Sequence, residues 1–395
     1  MPPGYPGTGD FMPEANNNVE FSRGLEGVIA AETKIGYVDG QAGRLIYRGY
    51  DVADLAKNSN YEEVSYLLVN GRLPKKNEYD DYDRTLKRLR GISQDAYSLI
   101  KEIGRKSHPM STLRTVVSYI GALDDRTIEP DVEQQKELGM ELIAKLPTIV
   151  GAINRVYKGQ DLVKENSDLT YSDYFFYQSM GRKPTPVESK MLDTALILHA
   201  DHGMNASTFA SMLTISTLSD MFSAVTSAIS ALKGPLHGGA NERALALIEK
   251  VGSPENAERV IGSMIERKEK IMGFGHRVYK VYDPRAKILK EYAHEVTSMN
   301  GKEELFHTAN KIEETMIAKL GNKGIFPNVD FYSGMLYSSI GFSREVFTPI
   351  FAVGRISGWV ARSLEYVMDN RLFRPKALYS GTKELLKYVQ IDDRK

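Results

Sequence analysis

The feature that most constrains the fold is a long apolar stripe that follows Ser343. Apolar side chains recur there at steps of three and four residues: Val346, Ile350, Val353, Ile356, Val360, Leu364 and Val367. Because an α-helix has 3.6 residues per turn, this spacing places them on one face of a helix of about six turns. The stripe therefore predicts a long helix that buries one face in a core.

Helix start and stop signals are spread along the rest of the chain. The apolar run in 62–70 stops at Gly71, as is typical of a helix C-terminus. Thr185 and Glu188 have the spacing of a capping box around Pro186, which favours a helix that starts there. These signals indicate that most of the chain is helical.

One β signal stands apart from the helical pattern. Apolar residues flank the turn-forming pair Asp39-Gly40 on both sides: Ile35, Tyr37, Leu45 and Tyr47. An Asp-Gly pair suits a tight hairpin turn. We therefore predict an all-α fold with one small N-terminal β hairpin.

Composition and charge exclude several classes of protein. Lys plus Arg and Asp plus Glu each number 51, and this zero net charge argues against a nucleic-acid-binding protein. The absence of Cys excludes disulfides and thiolate nucleophiles and fits a reducing compartment. Segment 203–232 is rich in Ser and Thr, which suits buried helices better than a membrane span. The start of the chain lacks signal-peptide features, so we expect a cytoplasmic protein.

The 395 residues are long enough for about two to three domains. The glycine-containing segments 234–239 and 324–330 are candidate hinges. We predict a flexible tail at 1–20, a large helical domain formed by 21–225 and 335–395, and a small helical domain formed by 226–334.

Two of the seven histidines lie in glycine-rich motifs. Glycines on both sides of His237 would let a ligand approach the ring, although an incidental turn residue is an equal interpretation. His276 follows Gly273 and Gly275, which we expect to expose their backbone N–H groups, and it precedes several cations. Exposed N–H groups beside cations would make a cradle for phosphates or carboxylates. The alternative for the His276 segment is a solvated basic loop.

His199 and His202 are three residues apart in the sequence. On one helix face this spacing would suit a metal site completed by a carboxylate. We favour a simpler interpretation, in which His199 is a satisfied core residue and His202 contacts a polar ligand.

Asp330 stands among apolar and aromatic residues. Burial there would raise its pKa toward that of a useful general base, whereas an ordinary Asp at a helix N-terminus is the alternative. Arg355 lies within the apolar helix and needs an anionic partner if it is buried. Arg374 belongs to a short basic motif that suits a surface equally well.

Taken in order, these motifs resemble those of the citrate synthase family along most of the chain. The matching segments are Thr33-Lys-Ile-Gly-Tyr-Val-Asp-Gly, Ile46-Tyr-Arg-Gly-Tyr, His199-Ala-Asp-His202, Gly234-Pro-Leu-His237-Gly, the stretch from Gly273-Phe-Gly-His276 to Asp283-Pro-Arg285, Pro327-Asn-Val-Asp330 and Arg374-Pro-Lys376. The resemblance implies an all-α homodimer with a mobile small domain. It implies the condensation of acetyl-CoA, oxaloacetate and water to citrate and CoA, at the entry of the tricarboxylic acid cycle, without a metal or other cofactor.

The resemblance also assigns roles to individual residues. Asp330 would take a proton from the thioester methyl group, His237 would donate to the developing enol oxygen, and His276 would polarise the oxaloacetate carbonyl. The oxaloacetate contacts would be His202, Arg285 and Arg355 of one chain and Arg374 of its partner. The CoA contacts would be Ile271, Met272, Gly273, Gly275, Lys280 and Asn328.

Two other functions stay open at this level. A 2-methylcitrate synthase that accepts propionyl-CoA fits the same motifs, since one methyl group in an apolar pocket is worth only about 1–3 kcal/mol. A non-catalytic or metal-binding helical protein that uses His199, His202 and His237 is a third interpretation. The combination of Asp330, His276 and the arginines disfavours it.

Overall fold

A computed structural model describes residues 21–164, 166 and 168–394 of the chain. The tail predicted at 1–20 lies outside the described residues. The chain forms two compact units, of which the larger spans Thr33–Phe373. The smaller unit is formed by the two ends of the chain, where 21–32 and 374–394 are described.

Helices dominate the described part of the chain, which confirms the predicted fold class. The α-helices are α1 Val52–Asn58, α2 Tyr61–Asn70, α3 Lys76–Leu89, α4 Gln94–Ile103, α5 Pro109–Ala122, α6 Val132–Tyr157, α7 Tyr171–Met180, α8 Pro186–His199, α9 Ala206–Ile215, α10 Met221–Leu232, α11 Ala240–Val251, α12 Pro254–Glu266, α13 Pro284–Met299, α14 Glu303–Leu320, α15 Val329–Ser339 and α16 Phe347–Met368. None of these described helices is both long enough and apolar enough to cross a membrane.

The predicted hairpin is present within a three-stranded antiparallel sheet. Its strands are β1 Gly36–Asp39, β2 Arg44–Tyr47 and the short β3 Tyr50–Asp51, in the order β1-β2-β3. The turn is longer than the tight Asp-Gly turn that we expected, because residues 40–43 separate the paired Asp39 and Arg44. The Asp39 carboxylate accepts the backbone N–H groups of Gln41 and Ala42 and so stabilises the wider turn. No separate sequence signal predicted β3.

The local start and stop signals mark real helix ends. α2 ends at Asn70, and Gly71 follows it in the left-handed conformation with φ of +84°. At the start of α8, Thr185 Oγ1 accepts the N–H of Glu188, and a Glu188 carboxylate oxygen accepts the N–H of Thr185 at 2.8 Å. Both predicted termini are therefore confirmed.

The long helix α16 crosses the core as the apolar stripe predicts. Its stripe residues are buried as far as Leu364, and Val367 packs against the edge of the core. Its main neighbours are α2, α6, α8, α9 and α10, and α5 and α11 make smaller contacts with it. A polar side chain on this helix is consequently held inside the protein.

The helices between α10 and α16 pack mainly among themselves. α13 packs on α15, α12 packs on α14, and α11 packs on α15. The division into a large domain and a small domain at 226–334 stays a prediction. In this group α13 also packs on α8, and α11 also packs on α16.

Candidate functional site

Five segments of the larger unit meet around one set of polar side chains. His202 lies in the loop after α8, His237 in the loop before α11, and His276 in the loop before α13. Asp330 lies in the first turn of α15, and Arg355 lies in the middle of α16. The charge of Arg355 acts on the ionisation of His202, His237 and Asp330, so these groups share one neighbourhood.

Asp330 combines the two properties that the sequence offered as alternatives. Asn328 caps α15, and its side-chain oxygen accepts the N–H of Asp330 at 3.1 Å. A carboxylate in a first helical turn is normally stabilised as the anion. Here burial outweighs that effect and raises the pKa of Asp330 to about 6, against the opposing charges of Arg285 and Arg355. The side chain is therefore a carboxylate at neutral pH and yet a stronger base than an ordinary Asp.

The glycine motif before His276 is bound to the start of α15. Asn328 donates from Nδ2 to the Gly275 carbonyl and from its backbone N–H to the Gly273 carbonyl, each at 2.9 Å. Gly273 has a φ of +83°, and a Cβ there would lie 2.8 Å from the ring of Phe331. Glycine is therefore required for this close approach of loop and helix.

One expectation for this loop is wrong. We expected both glycines to expose N–H groups to an anion, but the Gly275 N–H donates to the Phe326 carbonyl at 2.9 Å. The predicted cation Lys280 is exposed, and its ammonium donates to the Arg277 carbonyl. Ile271 is buried and Met272 is half-buried. Their contacts with CoA stay a prediction.

His237 is held as a neutral ring with a defined tautomer. The backbone N–H of Ser207, in the first turn of α9, donates to Nε2 at 3.2 Å, and the Ser207 hydroxyl lies 2.8 Å from the same nitrogen. A backbone N–H can only donate, so Nε2 accepts and the ring proton lies on Nδ1. Burial lowers the pKa of His237 to about 4, with a smaller contribution from Arg355. His237 is therefore a neutral ring, fixed by Ser207, that can donate a hydrogen bond from Nδ1.

His276 is fixed in the opposite tautomer. Its Nδ1 accepts the backbone N–H groups of Val278 at 3.0 Å and Tyr279 at 3.1 Å. The proton of the neutral ring therefore lies on Nε2. Burial lowers the pKa of His276 to about 4, and the charge of Arg285 adds to this effect. The ring is a neutral donor on its Nε2 side.

His199 and His202 do not share a helix face, which corrects the sequence-based geometry. α8 ends at His199, and His202 lies in the following loop. His199 is buried, and its Nδ1 lies 2.6 Å from the Ala195 carbonyl, as expected of a core residue. The expectation that it is fully satisfied is wrong, because its buried Nε2 has no hydrogen-bond partner among the described residues. His202 instead lies with its ring centroid 5.1 Å from that of His276. Within 21–164, 166 and 168–394, no group of three His, Asp or Glu side chains is placed to hold a metal ion.

Both central arginines are buried, but only Arg285 has a carboxylate partner. Arg285 donates from Nε and Nη2 to the two oxygens of Asp283, at 3.0 and 2.8 Å. Arg355 donates to the His199 carbonyl and lies over the ring of Phe351, but it makes no ion pair with any described residue. Burial lowers the pKa of Arg355 to about 10, which leaves it a cation at neutral pH. A buried and unpaired guanidinium strongly favours an anionic ligand.

A buried ion pair that the sequence analysis missed supports the His202 loop. Arg362 donates from Nε and Nη2 to the two carboxylate oxygens of Asp201, at 3.1 and 2.8 Å. Asp201 also accepts the N–H of Gly203. Arg362 lies seven residues after Arg355, two turns further along the same helix face. The sequence signal for this ion pair is Arg362 itself, a second cation within the apolar stripe of α16.

Arg374 lies in the unit formed by the ends of the chain, where its side chain is exposed. The other partners that sequence reasoning missed are Ser207, Tyr279 and Asp283. They act through backbone N–H groups or through pairing with a neighbour, and such contacts have no pattern of their own in a sequence.

Together the fold and the site define an all-α enzyme of carbon–carbon bond chemistry. A carboxylate of raised pKa and two neutral imidazole donors lie within electrostatic range of the buried guanidinium groups of Arg285 and Arg355. This is the set of groups needed to remove a proton from carbon beside a bound anion. A family model described as "Citrate synthase, C-terminal domain" matches residues 24–376. The chain belongs to the citrate synthase family.

Relatives match the chain over nearly its whole length. Citrate synthase of Deinococcus radiodurans is 45% identical over 374 residues, which cover 95% of this chain and 99% of that protein. A citrate/2-methylcitrate synthase of Bacillus subtilis is 36% identical, with 92% of this chain and 97% of that protein covered. A solved ternary complex of carboxymethyl coenzyme A and oxaloacetate with citrate synthase from Thermoplasma acidophilum superposes with a TM-score of 0.90. It is 37% identical, and the match covers 95% of this chain and 100% of that chain.

Proposed function

We propose that this enzyme condenses acetyl-CoA with oxaloacetate and water to give citrate and CoA, the step at which acetyl groups enter the tricarboxylic acid cycle. The observation that carries this proposal is the meeting of Asp330, with its raised pKa, and the buried Arg355, which has no carboxylate partner among the described residues. Asp330 provides a base for a carbon acid. Arg355 provides a site for an anionic acceptor.

Oxaloacetate is a dianion, and the proposed site has the cations to hold it. Arg355 would bind one carboxylate. Asp283 occupies Nε and Nη2 of Arg285, and no described residue bonds to its Nη1, which can make a further contact. Planar guanidinium groups hold carboxylates in a fixed orientation, so this pair orients the ketone as well as binding the acid. His202 would add a neutral contact.

The proposed chemistry divides the proton transfers among three side chains. The Asp330 carboxylate takes a proton from the thioester methyl group, and Nδ1–H of His237 donates to the developing enol oxygen. Nε2–H of His276 polarises the ketone of oxaloacetate, which the enol carbon then attacks. The ketone oxygen takes up one proton as it becomes the hydroxyl group of citryl-CoA, which balances the proton that Asp330 removed. Water hydrolyses that thioester and releases CoA. Because both imidazoles are neutral, each donates a hydrogen bond without placing a full charge beside Arg355.

The site is proposed to be completed by a second copy of the chain. In this arrangement Arg374 of one protomer contacts oxaloacetate in the other, and the enzyme works as a homodimer. Closure of a small domain at 226–334 over the substrates would exclude water from the enol. The CoA thioester is a substrate, and no further cofactor takes part in the proposed steps. A cytoplasmic location fits this reaction and stays a prediction.

The experiment that tests the function is a comparison of acyl donors. Purified protein is given oxaloacetate with acetyl-CoA or propionyl-CoA, and both CoA release and the tricarboxylate product are measured. We expect citrate to form with the larger kcat/KM for acetyl-CoA. A preference for propionyl-CoA would favour the 2-methylcitrate synthase, which the Bacillus subtilis relative keeps as the second candidate. No condensation with either donor would contradict the proposal.

A further inference from the structure

Tyr279 packs against two histidines of the site, which also pack against each other, and it is not among the residues proposed to contact substrate. It belongs to the loop that leads to α13 and is 1% exposed. Its ring centroid lies 5.5 Å from that of His202 and 4.8 Å from that of His276. A phenol this deeply buried needs a hydrogen-bond partner. The nearby imidazole of His202 provides it.

Tyr279 contacts each histidine through a different polar group. Its backbone N–H donates to Nδ1 of His276 at 3.1 Å. Its hydroxyl lies 3.2 Å from Nε2 of His202. Burial and the charge of Arg285 keep His202 neutral by lowering its pKa well below the usual value. Since an imidazole nitrogen is a better acceptor than a phenol oxygen, the hydroxyl donates and the His202 proton lies on Nδ1.

The loop is fixed on its other side, so the phenol has little freedom to move away. The N–H of Lys280 donates to the Gly40 carbonyl in the β1–β2 turn at 3.1 Å. A Cβ on Gly40 would lie 2.3 Å from the Val278 carbonyl, which shows how closely the turn and the loop approach. The β1–β2 turn therefore holds both neighbours of Tyr279.

We propose that Tyr279 is a positioning residue that sets the tautomers of both imidazoles, so that His202 presents Nδ1–H and His276 presents Nε2–H to the same substrate. Its hydroxyl acts on His202 alone, and its backbone N–H acts on His276 together with that of Val278. The meaning of this arrangement for oxaloacetate rests on the proposed function. The tautomers themselves are a property of the free protein.

Tyr279→Phe separates the two effects, because it removes the hydroxyl and keeps both the ring and the backbone N–H. Nitrogen-15 spectra of histidine-labelled full chain, without substrate, report the protonated nitrogen of each ring. We expect His202 to change from Nδ1–H in the unsubstituted protein to a mixture of tautomers in the variant, while His276 keeps Nε2–H. The KM for oxaloacetate should rise about 5- to 10-fold, as expected for one lost hydrogen bond, with the KM for acetyl-CoA unchanged.

Tyr282→Phe is the matched control, since it removes a phenol from the same loop that is bonded to Glu313 rather than to a histidine. We expect its His202 signals to match those of the unsubstituted protein. An unchanged His202 spectrum in Tyr279→Phe would overturn the proposal, as would a His202 already protonated on Nε2 in the unsubstituted protein. Incorporation of 3-fluorotyrosine at 279 makes the phenol a stronger acid at nearly the same volume. The stronger hydrogen bond should shift the His202 Nε2 signal from its position in the unsubstituted protein. If the tautomer change is seen but no condensation occurs, the proposed function fails and the positioning role stands.

Discussion

At the scale of single residues, burial favours the neutral form of the Asp330 carboxyl group and of the His237 and His276 imidazoles, and it shifts their pKa values in opposite directions. The pKa of Asp330 rises to about 6, and those of His237 and His276 fall to about 4. Between these values and neutral pH the carboxyl group gains its charge, while the imidazoles have already lost theirs. The working state of one ionised base and two neutral donors is therefore present above pH 6.

We expect kcat/KM for acetyl-CoA to fall as the pH drops below about 6, with the slope of a single protonation. Asp330 accounts for this protonation, because the pKa values of His237 and His276 are about 4 and both rings stay neutral through most of this range. Initial rates between pH 4.8 and 8.5 measure the profile. Activity that stays level down to pH 4.8, or a second protonation near the ordinary histidine value, would contradict the assignment.

Asp330→Asn should make the protein more stable at pH 8. A folded-state pKa above the ordinary 3.8 means that the folded protein binds this proton more tightly than the unfolded chain does. The resulting stability is full below the ordinary pKa and is lost as the pH rises through about 6. Removal of the buried charge should therefore raise the free energy of unfolding at pH 8 by up to about 3 kcal/mol.

Thermal unfolding of both proteins at pH 8 and pH 5 measures this effect. The increase in Tm should be larger at pH 8, because most of the Asp330 population in the folded protein is already protonated at pH 5. An equal or smaller increase at pH 8 would show that burial does not penalise the carboxylate.

At the scale of secondary-structure elements, the sequence predicted the helix ends and lengths that depend on residues close together in the chain. The end of α2 at Gly71, the start of α8 at Thr185 and the length of α16 follow from capping and apolar spacing within one element. The end of α8 at His199 could not be predicted in this way. Tyr47 donates its hydroxyl to the Asp201 carbonyl, and Arg362 pairs with the Asp201 carboxylate, so distant residues shape that loop.

The same distinction applies to the site. Asp330 and Arg355 were recognisable because an ionisable residue in apolar surroundings needs an explanation. The tautomers of His237 and His276 were not, because they depend on backbone N–H groups of Ser207 and Tyr279. Every residue has such a group, and only the folded chain shows where it points.

Gly40→Ala tests the contact between the β1–β2 turn and the His276 loop. The new Cβ would lie 2.3 Å from the Val278 carbonyl, so the loop must move. Because small displacements of a positioning segment have large effects on catalysis, we expect kcat/KM for oxaloacetate to fall by about 10-fold or more. Gly262→Ala in α12 is the control, since its Cβ would meet no atom within 4 Å. Steady-state kinetics of the two variants measures the difference, and equal values would show that the turn does not position the loop.

At the scale of the whole molecule, the larger unit carries every proposed site residue except Arg374. That residue belongs to the unit formed by the two ends of the chain. The proposal of a shared site therefore assigns the catalytic groups to one protomer and one oxaloacetate contact to its partner. Such an arrangement makes activity depend on dimer formation.

Mixed dimers test this sharing. Asp330→Ala and Arg374→Ala should each be inactive as homodimers. In a heterodimer of the two, the site that uses Asp330 of the Arg374→Ala chain receives the intact Arg374 of the other chain. Activity approaching half that of the unsubstituted enzyme is expected from co-expressed, separately tagged and purified heterodimers. If Arg374 served its own chain, both sites would carry one lesion and the heterodimer would stay inactive.

The central claim is that Asp330 removes a proton from the methyl group of acetyl-CoA, and isotope exchange measures that step without condensation. The enzyme is incubated in D₂O with acetyl-CoA and (S)-malate, a four-carbon dicarboxylate that lacks the ketone that the enol would attack. We predict that mass spectrometry detects deuterium in the acetyl group with the unsubstituted enzyme. With Asp330→Asn the exchange rate should fall at least about 100-fold, while acetyl-CoA binding measured by calorimetry persists. Exchange by Asp330→Asn at the unsubstituted rate would contradict the account.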